Sequence, residues 1–388
     1  MEKLQLWHSL LENPNTPVIE TRVIYTVNSE AANVLEKLVK VPRMKELGLQ
    51  FSRGWDESID RKAGYFDTSW QHPKAWSDVI LKGTHIGVST PMIQQPNPTM
   101  KNKDDLSNID LESIPVDFIP ATAYAPNRAE YPNYDSDYGT WESDNGPVLV
   151  SKQFRVAWRQ MAALTGFRTM YPAIIPEGAQ HVNGIISGGL PKDNQLNANL
   201  ATFGGFLSSV LCDFQVRAVG SHLWPSIIER LPISSSSFRG ILDSNYLRLN
   251  CLTSAYAPLW EEITGEKWTV DTPLRNAKER WHAQNEIDAI VAISLGVTAD
   301  ELCMIYRTQF PVMRRYDRED LYDANGRKVA NDVVKLQAKL KDGEELSEDQ
   351  RTWTHPQSGV AYTFEYPFAP LNREADLRDA YARFEKEL

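Results

Sequence analysis

The sequence predicts a mixed α+β fold. Small, largely antiparallel sheets with helices are expected up to about residue 233, followed by a mainly helical C-terminal region. Three observations predict it. Period-two alternation is short and gathers in 154–186, as half-buried strands require. Period-3.6 apolar stripes gather after residue 200. Regular strand–helix–strand alternation with phosphate-binding glycines is missing, so a doubly wound parallel sheet is not expected.

The elements follow in order. Ser29–Val39 reads as a helix with Ser29 as N-cap and Val34, Leu35 and Leu38 on one face. Residues 94–144 are rich in Pro, Asn, Asp and Tyr and read as a long loop region with short strands. In Phe154–Arg159 the apolar Phe154, Val156 and Trp158 alternate with Arg155, Ala157 and Arg159, which predicts a strand with both arginines on its outer face. Thr169–Ile175 and His181–Ile186 are further strands, separated by a Pro176–Gly178 turn. Ala201–Arg217 reads as one helix, because Phe203, Phe206, Leu207, Val210, Leu211 and Phe214 form a continuous stripe. Pro225 opens a short helix over Ser226–Leu231 that Pro232 ends. Pro273 suits the start of a long helix reaching about Leu295, with Gly296 beyond its end. Thr298 and Glu301 have capping-box spacing for the next helix. The tail is helical in patches, over Val329–Leu340 and Ala375–Phe384.

A chain of 388 residues is long enough for two or three domains. The expected division is an N-terminal recognition and connector region (1–150), a recognition core (151–233) and the helical region (234–388). At 24% charged and 42% hydrophobic the composition is globular, which excludes a largely disordered chain. The three cysteines form no CxxC, so a disulfide scaffold or structural zinc is not expected. The first residues carry no secretory pattern and no stretch is apolar enough to span a bilayer, so a cytoplasmic protein is expected.

The formal net charge of −10 excludes a uniformly basic nucleic-acid binder. Its distribution is uneven. Residues 101–150 carry three basic and ten acidic residues, whereas 151–250 carry nine basic and five acidic. A basic module within an acidic chain suits phosphate contact, and ordinary scatter accounts for it equally well. Chemistry-bearing motifs are scarce. There is no G-x-G, no Pro-Pro, no Walker loop, no HExxH and no GxSxG. The seven histidines show no metal-ligand spacing. Asp60–Arg61–Lys62 matches only the last piece of a nuclease site.

Two runs carry a resemblance. FRVAWRQMAALTGFRTMYPAIIPEGAQHV is followed by ATFGGFLSSVLCDFQVRAVGSHLWPSIIERLPI, where an apolar helix leads to Gly220–Ser221–His222 and a Leu231–Pro232–Ile233 exit. Together they resemble the target-recognition region of type IIG restriction–modification enzymes and BREX-type phage-defence adenine-N6 methyltransferases. GWDESIDRKAGYF and WSDVILKGTHIGVSTPMIQQPNPTM upstream are similar to the part before that region. PLRNAKERWHAQNEIDAIVAISLGVTADELCMIYRTQFPVMRR resembles the C-terminal helices of the same enzymes. The family's methyltransferase domain is not in this chain. The resemblance implies DNA target recognition, non-catalytic by itself, beside a methyltransferase or restriction subunit or domain. No cofactor is expected in this chain, and S-adenosylmethionine belongs to the separate or missing methyltransferase domain. The alternative is a protein-interaction or scaffold subunit of a defence complex, which the acidic 101–150 segment and the helical C-terminus favour.

For double-stranded DNA, the candidate contacts are Lys152, Arg155, Arg159, Arg168, His181, Asn183, Arg217, Ser221, His222 and Arg230, with Lys101 and Lys103 as a second patch. The alternatives are that Arg155 and Arg159 pair with acids of the 101–150 segment, that His222 caps the short helix, that Trp224 belongs to the core, and that Lys101 and Lys103 belong to an ordinary exposed loop.

Overall fold

The computed structural model describes residues 29–161, 163, 165–191, 198–219, 222–341 and 343–388. Gly220 and Ser221 lie outside the described residues. The α+β architecture is as expected. Helix α1 (Ser29–Leu38) is followed by strands β1 (Gln50–Ser52), β2 (Phe66–Gln71), β3 (Ile80–Leu81), β4 (Gln94–Pro96), β5 (Leu106–Asn108) and β6 (Thr122–Pro126). Then come α2 (Tyr134–Tyr138), β7 (Thr140–Trp141), β8 (Val148–Leu149), β9 (Arg155–Arg159), β10 (Pro172–Ile175), β11 (Gln180–His181) and β12 (Ile185–Gly189). Beyond them the chain is mainly helical, interrupted by one hairpin.

The central sheet has the order β1-β12-β9-β10 and is antiparallel throughout. Its two faces enter two different cores. Val156, Trp158, Ile174 and Ile186 face the main core, which the later helices complete. Ala157, Ala173, Ile175 and Ile185 face a smaller core closed by Val79, Leu81, Ile86 and Ala179. β3 contributes to that lid and pairs in parallel with β11. The expectation that β9 has one buried and one exposed face is therefore corrected: its second face is covered by the 79–86 segment.

Local competition for hydrogen bonds moved several boundaries. The expected strand over Thr169–Ile175 begins only at Pro172, because the Asp213 carboxylate takes the N–H groups of Thr169 and Met170. His181–Ile186 divides into β11 and β12 around a turn at Asn183–Gly184. The single helix expected over Ala201–Arg217 is two, α3 (Ala198–Leu207) and α4 (Val210–Val219). Ser208 and Ser209 hydrogen-bond back to the carbonyls of Gly205 and Phe206, and the Val210 N–H turns to the Asp288 carboxylate. The apolar stripe remains buried across the break.

After α5 (Pro225–Ile228) come α6 (Arg239–Asn250) and α7 (Ala257–Thr264). A close approach joins α3 to α6: a Cβ on Gly204 would lie 2.2 Å from the Tyr246 ring, so only glycine fits. The long helix α8 (Ala277–Ser294) starts later than Pro273, where the Asn276 side chain accepts the Lys278 and Glu279 N–H groups. Its residues Ile287, Ile290 and Val291 enter the main core, which runs from Ala31 in α1 to Phe384 near the end of the chain. That core crosses both expected domain boundaries.

Helices α9 (Ala299–Gln309) and α10 (Pro311–Glu319) follow, then α11 (Asn331–Gln337), α12 (Glu348–Arg351), the hairpin β13–β14 (Thr352–Thr354, Ala361–Thr363) and α13 (Arg373–Glu385). Asp110 ties this hairpin to the N-terminal region by accepting the Tyr362 and Ser358 hydroxyls at 2.8 and 2.7 Å. The cysteines are free and buried. No described helix is long and apolar enough to cross a membrane.

The capping box of α9 forms as the spacing predicts: Thr298 Oγ1 accepts from Glu301 N, and Glu301 accepts from Thr298 N at 2.8 Å. Glu301 also meets Lys37 of α1 at 2.6 Å. Thr298→Ala is expected to lower unfolding free energy by about 1 kcal/mol, read as a lower urea midpoint at unchanged slope.

Candidate nucleic-acid interface

The predicted contact residues do not stay together. Four are structural. Arg155 is 0% exposed. Its guanidinium donates to Gln153 O, to the Tyr138 hydroxyl and to Ala179 O, so the 101–150 segment does hold it, through a phenol rather than an acid. Arg168 is 2% exposed and donates to Asp213 Oδ2 and Ser208 O, each at 2.6 Å. Arg217 donates to Asp213, Gln309 O and Gly166 O and covers the Phe310 ring at 4.2 Å. His181 is buried, with Nε2 2.8 Å from the Ser187 hydroxyl. Burial, with Arg155 adding to it, pushes the His181 imidazole down to about 3, so it is neutral at physiological pH. Arg155, Arg168 and His181 are closed off from solvent, which corrects the expected face, and Arg217 is held by Asp213 and two carbonyls.

The remaining residues separate into distinct places. Lys101 and Lys103 are exposed between β4 and β5, beside Asp105. Lys152 is exposed and has Glu177 in its neighbourhood. Arg230 is half-buried, on a carbonyl that Arg43 and Gln215 hold. Asn183 is half-buried, and its side chain engages Asp56. Asp60 of the nuclease-like triplet accepts the Asp56 N–H at 2.6 Å and closes a local turn. No group of three or more metal-ligating side chains gathers among the described residues.

The backbone segments that carry Arg159 and His222 adjoin at the end of β9. The Gln160 N–H donates to Gly184 O, the Leu223 N–H donates to Gln160 O, and Met161 forms a bridge with His222. Arg159 donates Nε–H to Ile86 O at 2.9 Å and lies 4.2 Å from the centre of the Tyr171 ring. Burial lowers its guanidinium below the ordinary value, and no carboxylate compensates among its contacts. Such a group gains from an incoming anion.

Residues outside the expected contact set lie beside this site, and the expectation that Trp224 belongs to the core is corrected by its exposure. Trp224 is 46% and Met161 70% exposed, beside His222. On the other side, Phe167 packs edge-on against Tyr316 of α10 at 6.0 Å. Helix α10 reads PVMRRYDRE. It turns Met313 and Asp317 inward, where Asp317 pairs with Arg373 at 2.7 Å and accepts the Tyr306 hydroxyl. Its outer side carries Arg315, Tyr316 and Arg318, with Arg314 half-exposed. Glu319 is 3.9 Å from Arg315. The signal was present as a proline-initiated helix with arginines at i, i+1 and i+4, but it lay inside a block of net negative charge.

Compared with known proteins, the chain matches no protein-family profile and no curated protein sequence.

The buried polar groups under this surface generate three predictions. Arg168→Ala leaves Asp213 charged and buried with one guanidinium fewer, so it is expected to destabilise the fold by about 3–5 kcal/mol in urea denaturation. Arg155→Ala is expected to destabilise likewise, because it strips hydrogen bonds from a closed core. Asp288 lies fully buried beside this network, and burial raises its carboxyl from 3.8 to about 6. The folded state therefore keeps this proton when the unfolded chain has lost it. That contribution is full below pH 3.8, falls as pH rises to about 6, and is constant above. Asp288→Asn should thus gain on the wild type between pH 4 and 6, seen as diverging urea midpoints. A gap independent of pH would contradict the assignment.

Proposed function

We propose that this chain is a DNA target-recognition module that works with a methyltransferase or restriction subunit or domain in a restriction–modification or phage-defence system, and is not itself catalytic. The observation that carries the reading is the outward arginine row of α10, Arg314, Arg315 and Arg318, whose Tyr316 packs on Phe167 in the segment between β9 and β10. Helix α10 turns Asp317 inward and carries three guanidinium groups against one exposed carboxylate, Glu319, so its outer side is predominantly basic, which suits phosphate contact. The neighbouring loops supply an arginine without a carboxylate partner among its contacts, and exposed aromatic side chains. The resemblance of 154–233 and 273–315 to the recognition and helical regions of type IIG and BREX-type enzymes supports the same reading, and S-adenosylmethionine then belongs to the partner.

The test is fluorescence anisotropy of the full chain with a 30-base-pair duplex over a salt series. Binding is expected to weaken with salt. The triple variant R314A/R315A/R318A is expected to retain its fold, since exposed arginines contribute little to stability. Its log K against log salt slope should be shallower by roughly 0.9 for each lost phosphate contact, or about 2–3 in all. A wild-type chain that binds no duplex, alone or with its methyltransferase partner, would remove this reading.

A further inference from the structure

The segment His222–Trp224 is an extended edge whose side chains alternate. Leu223 points inward and is fully buried, whereas His222 and Trp224 point outward. The Met161–His222 bridge places Met161 on the same outer side. The two rings are nearly parallel, at an interplanar angle of 10°, with centroids 6.5 Å apart. That spacing matches the rise of two residues along a strand, roughly 6.6 Å. A thioether, an imidazole and an indole thus stand side by side along one exposed ledge.

The ledge is held rigidly from below. The Leu223 N–H donates to Gln160 O at 2.8 Å, and Leu223 O accepts the Trp158 indole N–H at 2.9 Å. The Trp224 carbonyl accepts the Ile227 and Ile228 N–H groups, and Ile228 is fully buried. Exposing Met161 and Trp224 on so firm a support brings no packing gain to the free protein, and exposed apolar clusters of this kind mark contact sites. Arg159 ends β9, two residues before Met161, and its guanidinium meets the Ile86 carbonyl and the Tyr171 ring rather than a carboxylate. Exposed thioether and aromatic groups next to a guanidinium with no carboxylate among its contacts are complementary to a nucleobase next to its phosphate.

We propose that Met161, His222 and Trp224 form a base-stacking ledge that receives a nucleobase displaced from a bound duplex, with Arg159 on the adjacent phosphate. This rests on the DNA-binding reading above and adds to it a preference for unstacked DNA. Displacing a base is least costly where pairing is already broken. A ledge that stacks the displaced base therefore favours a duplex with a central mismatch over the matched duplex.

The experiment is anisotropy of the full chain with two 30-base-pair duplexes, identical except for one central mismatch, at fixed salt. The wild type is expected to bind the mismatched duplex about tenfold more tightly, the scale of one base–aromatic stack. Trp224→Ala should abolish that preference without changing thermal melting, while Trp224→Phe should keep the preference. Equal binding of both duplexes by the wild type would overturn the ledge and leave DNA binding standing. A Trp224→Ala variant that loses both duplexes equally would also overturn it, since Trp224 would then be a general contact. Failure of the wild type on both duplexes would overturn the DNA reading itself, and the ledge with it.

Discussion

The carboxylate of Asp213, fully buried in α4, is the point at which the rest of the structure is tied. It pairs with Arg168 and Arg217 and accepts the N–H groups of Thr169 and Met170. A buried carboxylate is tolerable only when cations and donors surround it, so its position fixes all four groups at once. The chain before β10 is thereby drawn onto α4, and Arg217 in turn reaches Gly166, Gln309 and Phe310. The last of these opens α10. The loop after β9, the apolar helix and the arginine-bearing helix thus share one electrostatic anchor, and the exposed surface above them follows from it.

The same arrangement explains why basic residues of the central segment are mostly not surface charge. Arg155, Arg168 and Arg217 satisfy carbonyls and a carboxylate inside the fold, and Arg239 pairs with Asp243. Guanidinium groups suit this use, because their five donors tie several backbone segments together. Helix α10 shows the converse. It lies in an acidic block, yet Asp317 is turned inward to Arg373, so its arginines remain outside. Charge counted along the chain and charge presented at a surface are different quantities.

Much of the fold was legible in local pattern. The stripe from Phe203 to Phe214 is buried as its periodicity required, and Thr298 and Glu301 cap α9 as their spacing required. Both depend on neighbours within a turn or two, which a sequence displays directly. The site was legible only in part. Arg159 and His222 were identified and lie on adjoining backbone, but Trp224 was assigned to the core, and Met161 and the α10 arginines were passed over. An exposed tryptophan has no sequence mark that separates it from a core tryptophan such as Trp158.

By itself the sequence determined the fold class, the main helices and the strand at 155–159, because hydrophobic period and capping chemistry are local. Only the tertiary structure decided which faces close. Both arginines of β9 share one strand face, as alternation dictates, but the 79–86 segment covers that face and the alternation carries no record of it. The break between α3 and α4 is likewise set from a distance, by Asp288 of α8 accepting the Val210 N–H. Long-range hydrogen bonds and the second face of a sheet are fixed by partners far along the chain, so they appear only once the chain is folded.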